Sequence, residues 1–283
     1  MNILNTVTQN KKHSGDCGVL YVADSTVFPG LQISSCSSDY PVCVVDIGLT
    51  DEQIKWCDEY EIQVIRYVGI VPDIPHWQTW LKASALLLTP FKYTLYLDTD
   101  TLCTNSLTQA FDYIKNNGLL IVDDEAKWYQ HDKYIEYAKH YTAHTSYDER
   151  YVNAGVIGYS HDHMEFIHTY QRLCQECFDN ELYHIYSWFD EGCLNRCLDI
   201  HTQYTSTSEY KYNRLSPVIP CLTESLILCS ESEKITHMKY NFLYSYTTYK
   251  KFITNKNISN DNIILHFRGT TKPWMIWSKN QYC

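Results

Sequence analysis

The sequence predicts an α/β fold with a mostly parallel central sheet flanked by helices, and three observations carry the prediction. Apolar, β-prone runs alternate with helical segments from Gly18 to Asp98, the pattern of a sheet wound with helices. One run, Tyr93-Thr-Leu-Tyr-Leu-Asp98-Thr-Asp100, ends abruptly in two carboxylates, at the carboxyl end where open α/β sheets bind ligands. A chain of 283 residues, 45% hydrophobic and 20% charged, can bury a large core, about three quarters of its unfolded surface.

Taken in order, Gly18 to Ala23 reads as the first strand and Phe28 to Ser38 as a helix, with Pro29 suited to a first turn. Pro41 to Ile47 is the second strand. Thr50 and Gln53 then form a capping box that starts a helix running to about Tyr60. A third strand, Ile62 to Tyr67, precedes a loop with Pro72 and Pro75 and a helix from Trp77 to Leu88. After the two carboxylates come a helix near Ser106 to Asn116, the strand Leu119 to Val122 and the acidic Asp123-Asp124-Glu125. Ala126 to Arg150 has no clear period, and a long irregular segment in a compact domain suits an acceptor-side flap. Tyr151 to Tyr159 is a further strand. Helices follow from about His161 to Asp179 and from Glu191 to Asp199, and short strands and loops complete the chain.

Composition bounds the function. A formal net charge of −10, with no basic patch, argues against nucleic acid as a partner. No Gly-x-Gly-x-x-Gly or P-loop occurs among the ten glycines, so a negative ligand must be held locally, by a metal and a few cations. No segment resembles a signal peptide and none approaches the ~18 apolar residues of a membrane span, which makes a soluble cytoplasmic protein the expectation. The 12 cysteines then read as free thiols rather than a disulfide framework. The oligomeric state is open, a homodimer being one option.

The chemistry lies in two stretches far apart in sequence. On an extended chain Asp98 and Asp100 point to one side, half of a site for a hard cation such as Mg or Mn. Two such acids alone more often mark a solvated turn or a helix cap. Near the other end, Ile263-Ile-Leu-His266-Phe-Arg-Gly269-Thr-Thr-Lys272-Pro-Trp274 is an apolar strand running into an imidazole, a glycine and a lysine. A nitrogen ligand beside two carboxylates tilts preference toward Mn over Ca. Gly269 permits close backbone approach to a phosphate, and Lys272 places positive charge where a leaving diphosphate gathers negative charge.

Together these motifs resemble the retaining glycosyltransferases of family 8, the group that includes glycogenin and bacterial galactosyl- and glucosyltransferases. The family's His-Phe-x-Gly-x-x-Lys-Pro-Trp signature is present at every position, with the Asp-x-Asp upstream. The resemblance implies a GT-A type nucleotide-diphospho-sugar transferase fold. It also implies Mn2+ or Mg2+ between Asp98, Asp100 and His266, a UDP-sugar donor in contact with Lys82, Asp98, Thr99, Asp100, Gly269 and Lys272, and a carbohydrate or protein acceptor. Asp190, Lys272 and Asn153 are the implied catalytic residues: Asn153-Ala-Gly155-Val resembles the family's sugar-contacting strand, and Asp190-Glu191-Gly-Cys-Leu-Asn195 its Asp-Gln-Gly-x-Leu-Asn. Glu191 exchanges an amide for an acceptor-only anion. Either Asp123 or Asp124 fits the family's carboxylate after the fourth core strand. The expected organisation is one domain over residues 1–283, with about 17–122 a nucleotide-binding half and about 123–283 an acceptor-side half.

Three other readings have residues behind them. Ala23-Asp24-Ser25-Thr-Val-Phe28 falls where the family contacts the base, with Phe28 keeping a ring but no hydroxyl. Cys174 and Cys177 with Cys193 and Cys197 approximate a four-cysteine zinc site, yet Ile167, Tyr170, Cys174, Cys177 and Phe178 recur at helical intervals, which suits thiols on a core stripe. A nucleotide-sugar hydrolase, or a non-catalytic nucleotide-sugar-binding module on the same fold, is the alternative function.

Overall fold

The computed structural model describes residues 7–9, 15–69, 77–103, 105–123, 152–181, 189–204, 221–223 and 264–266. Ten strands and six α-helices lie among them, beginning β1 (Val7–Gln9), β2 (Cys17–Ala23), α1 (Phe28–Ser37), β3 (Val42–Asp46), α2 (Asp51–Glu59) and β4 (Gln63–Arg66). They continue with α3 (Trp77–Leu86), β5 (Tyr93–Leu97), β6 (Thr101–Cys103), α4 (Thr108–Asn117), β7 (Leu119–Asp123) and β8 (Val152–Ser160). The last are α5 (Met164–Asp179), α6 (Phe189–Tyr204), β9 (Cys221–Thr223) and β10 (Ile264–His266). The expected flap, Ala126 to Arg150, lies outside the described residues, as does the Pro72–Pro75 loop.

A seven-stranded sheet in the order β1-β4-β3-β2-β5-β8-β7 forms the centre. Strands β4, β3, β2 and β5 run parallel, so their carboxyl ends share one edge, while β1, β8 and β7 are antiparallel to their neighbours. Strand alternation sorts the side chains into two buried layers. Val19, Tyr21, Leu95 and Leu97 pack with Leu31, Cys57, Phe111 and Ile114 from α1, α2 and α4. Leu20, Val45, Tyr96 and Ile157 pack with Leu81, Phe166, Tyr170 and Leu194 from α3, α5 and α6. The result is a helix–sheet–helix sandwich.

Local chemistry sets the element ends. Thr50 and Gln53 cap α2 reciprocally: Gln53 N donates to Thr50 Oγ1 at 3.3 Å and Thr50 N donates to Gln53 Oε1 at 2.9 Å. Gly118 stops α4 at φ +79°, its N–H bonded to the Ile114 carbonyl at 2.7 Å. The helix expected over Glu191 to Asp199 runs further, to Tyr204, and β1 pairs as an antiparallel edge where no strand was expected.

A second, three-stranded sheet of order β6-β10-β9 fixes the site. Strand β10 is antiparallel to β6, with His266 opposite Thr101, and parallel to β9. This short ladder brings residue 266 beside residue 101.

Candidate active site

Strand β5 stops at Leu97 and the chain turns. The Asp98 carbonyl accepts from Thr101 N at 3.2 Å and from Thr101 Oγ1 at 2.8 Å. Sequence alone put Asp98 and Asp100 on one side of an extended chain at the strand's end; here a turn through Thr99 lies between them, and their carboxylates still meet. The turn is anchored from α1, because Thr101 Oγ1 lies 2.8 Å from Ser34 Oγ, which is 2.9 Å from Tyr21 Oη.

The β6–β10 register then delivers the imidazole. His266, 3% exposed, places Nε2 3.1 Å from Asp100 Oδ1 and 3.7 Å from Asp98 Oδ2. Gly155 makes the space: a Cβ there would stand 2.3 Å from His266 Cε1 and 2.9 Å from both Asp98 Oδ2 and Asn153 Oδ1. A glycine in β8 is thus a requirement of the cluster, not only of the strand's irregular register with β7 at Ile121/Val122.

Behind the carboxylates lies a buried cation. Lys82 of α3 sits 2.8 Å from Asp190 Oδ2 and 3.2 Å from Asp98 Oδ1, and donates to the Ala154 carbonyl at 3.2 Å. Burial alone would lower its pKa, but Asp190 and Asp98 outweigh it and hold the amine charged, well above the ordinary lysine range. The Tyr96 hydroxyl donates to Asp98 Oδ1, and burial followed by that carboxylate pushes its own pKa well up.

Strand β8 and helix α6 hold the remaining residues. Asn195 is a clamp: its side chain accepts from Val152 N at 2.9 Å and donates to the carbonyls of Val152 at 3.0 Å and Glu191 at 2.8 Å. Next to it, Asn153 Oδ1 accepts from Gly155 N and Asn153 Nδ2 donates to Glu191 Oε1, each at 2.7 Å. Glu191 can only accept, and Asn153 supplies the matching donor. Asp190, 2% exposed, reaches the centre through Lys82.

The cluster suits a divalent cation. Asp98, Asp100 and His266 each offer a ligand atom, all within 4.8 Å of one another, and this is the one such group among the described residues. Two carboxylate oxygens and an imidazole nitrogen suit Mn2+ or Mg2+, and Gly155 is the absent side chain that leaves them room.

Comparisons with known proteins point the same way. The model of glycosyl transferase family 8 matches residues 182–278, the part that carries Asp190 and His266. Over that stretch the chain is similar to the glycosyltransferases of family 8. No curated protein sequence matches it. Among solved structures, the chain superimposes on an active-site mutant of LgtC with a TM-score of 0.52 at 16% identity, covering 91% of this chain and 89% of that one. It also matches galactosyltransferase LgtC in complex with donor and acceptor sugar analogues, with a TM-score of 0.50 at 15% identity over 94% of this chain and 93% of the other. For the bifunctional glycosyltransferase WbbM the TM-score is 0.56 at 14% identity; 94% of this chain is covered but only 48% of WbbM, so the chain spans about half its length. At such identities the likeness speaks to the fold alone, which is of the GT-A type.

Of the residues singled out in the sequence, the structure brings together Lys82, Asp98, Asp100, Asn153, Asp190 and His266, with Thr99 at the tip of the turn. Gly269, Lys272 and Asp124 lie outside the described residues, and Asp123 ends β7 opposite Val152. Asp24 is spent locally: Oδ1 accepts from Thr26 N, Thr26 Oγ1 and Val27 N, and Oδ2 from Gln78 Nε2 at 2.9 Å. The four cysteines of the zinc reading are core thiols. Cys174, Cys177, Cys193 and Cys197 are all free and buried, Cys197 Sγ donates to the Phe166 carbonyl at 3.4 Å, and among the described residues the group of ligand atoms close enough to share a metal is Asp98, Asp100 and His266, not these thiols. Sequence reasoning missed Tyr96 and the clamping role of Asn195. Tyr96 had a signal, since a residue two before Asp98 on a strand shares its face.

Proposed function

We propose that this protein is a family 8 glycosyltransferase that moves a hexose from a UDP-sugar to an acceptor hydroxyl with retention of configuration, in a metal-dependent reaction. The observation that supports it best is the meeting of Asp98, Asp100 and His266 at the carboxyl end of β5, where α/β sheets bind ligands. These three residues would hold Mn2+ or Mg2+, which supplies Lewis acidity to the donor diphosphate and offsets charge on the leaving group. The complex of LgtC with donor and acceptor sugar analogues favours a nucleotide sugar and a carbohydrate hydroxyl as the two substrates, a protein hydroxyl being the other acceptor class.

The chain's own groups divide the work. Asp190, fixed by Lys82, and Asn153, fixed by Gly155 N and Glu191, orient the transferred sugar. Lys82, Thr99 and the Gly269 backbone line the donor site, and Lys272 stabilises the departing diphosphate. As the bond from the anomeric carbon to the phosphate oxygen breaks, the acceptor oxygen bonds that carbon on the same face and its proton passes to the leaving phosphate. Residues about 17–122 form the nucleotide half and about 123–283 the acceptor half of one domain. The cytoplasm is the compartment that this reading favours; no helix among the described residues is long and apolar enough to cross a membrane.

A panel of UDP- and GDP-hexoses, incubated with the protein in Mn2+ or in EDTA and followed by mass spectrometry, tests the proposal. UDP release from one hexose donor in Mn2+, lost in EDTA and in His266→Ala, is expected. Equal turnover in EDTA, or full activity of His266→Ala, would refute it. Metal-independent UDP binding without turnover would point to the non-catalytic alternative.

A further inference from the structure

We infer that Tyr96 is a positioning residue that reserves one oxygen of Asp98 for the metal. The inference rests on the metal reading above and deepens it. The two oxygens of Asp98 have different surroundings. Oδ1 faces inward, where it accepts a hydrogen bond from the Tyr96 hydroxyl and stands 3.2 Å from Lys82 Nζ. Oδ2 faces the cluster, 3.7 Å from His266 Nε2 and within 2.9 Å of the point a Cβ on Gly155 would occupy. A carboxylate with one oxygen already engaged by two donors offers only the other to a cation.

Why Tyr96 can do this follows from the strand. Residues 96 and 98 share a face, that face is the layer of α3, and Lys82 of α3 lies 5.5 Å from the centre of the Tyr96 ring. Phenol, ammonium and carboxylate therefore form one buried unit, with the ring 2% exposed and closed to water. Hydrogen bonds that orient a ligating group usually contribute about 10- to 100-fold to metal affinity. Lys82 also holds Asp190, so its removal would disturb two acids at once. Among the described residues the Tyr96 hydroxyl hydrogen-bonds to one carboxylate, Asp98, so its loss bears first on that acid.

The test is an electron paramagnetic resonance titration of free Mn2+ with the full chain, without nucleotide. Tyr96→Phe keeps the ring and removes only the hydroxyl; Tyr159→Phe, which deletes an equally buried hydroxyl bonded to the Leu86 carbonyl at 2.6 Å, is the control. Tyr96→Phe should weaken Mn2+ binding about tenfold or more, and raise the Mn2+ concentration for half-maximal transfer more than it lowers the rate at saturating metal. Tyr159→Phe should bind Mn2+ like the parent. Parent-like Mn2+ affinity in Tyr96→Phe would overturn the inference and leave the proposed function standing. Equal weakening in both variants would overturn it too, as a general packing effect. Absence of Mn2+ binding by the parent would overturn the metal reading and this inference together.

Discussion

Lys82 is the residue on which the site's electrostatics turn. It is a buried cation between two carboxylates, and removing one partner of such an arrangement leaves charge without compensation, at about 3–5 kcal/mol. Lys82→Met keeps most of the apolar stem and deletes the charge. Urea unfolding should show a loss of that size, with the slope unchanged, and transfer should fall to background. A stability within about 1 kcal/mol of the parent would show that Asp190 and Asp98 do not depend on it. At this scale the sequence was informative where a motif named the residue: Asp98, Asp100, His266 and Lys82 were all legible, and the first three meet. It was silent on contacts that depend on a neighbour's backbone. That Gly155 must lack a side chain because His266 lies across it is invisible without the β6–β10 register.

Among elements, the contact between β8 and α6 sets where the sugar-facing groups stand. Asn195→Ala would strip partners from the Val152 N–H and carbonyl, both buried, and each unsatisfied group costs about 1–3 kcal/mol. Since Asn153 follows Val152 and Glu191 lies one turn before Asn195, the variant should raise the KM for donor more than it lowers kcat. Unchanged KM in a folded variant would remove the clamp from the account. The alternation of strands and helices up to β5 was readable because propensity, caps and burial agree there, as in the Thr50–Gln53 box. Where they do not agree, boundaries moved. Helix α6 extends past Asp199 through His201 and Gln203, residues without strong helical pattern, and β1 is a three-residue edge in a polar stretch. The end of β5 at the two carboxylates was legible, but the turn through Thr99 was not, because no Gly or Pro marks it.

For the molecule as a whole, stability should depend on pH through two histidines away from the site. His163, whose Nδ1 lies 2.8 Å from Ser160 Oγ and whose ring packs over Gly118, and His201, beside Phe166, both have pKa values lowered from 6.5, first by burial. A folded-state pKa below the unfolded value means the unfolded chain binds more protons, so stability is full above about 6.5 and is lost as pH falls through the folded values. Thermal melts from pH 8 to 5 should show Tm falling below pH 6.5, and His163→Asn should flatten part of that fall. A Tm that rose over the same range would contradict the sign.

The global architecture brings the two ends of the sequence together through one three-residue ladder, and the proposed chemistry depends on that ladder. The most direct measurement is an anomalous difference map, at the manganese edge, from crystals grown with Mn2+ and UDP. One strong peak within bonding distance of Asp98, Asp100 and His266 Nε2, in contact with the diphosphate, is predicted. A bound UDP whose manganese lies away from His266, or UDP bound elsewhere on the sheet, would contradict the account.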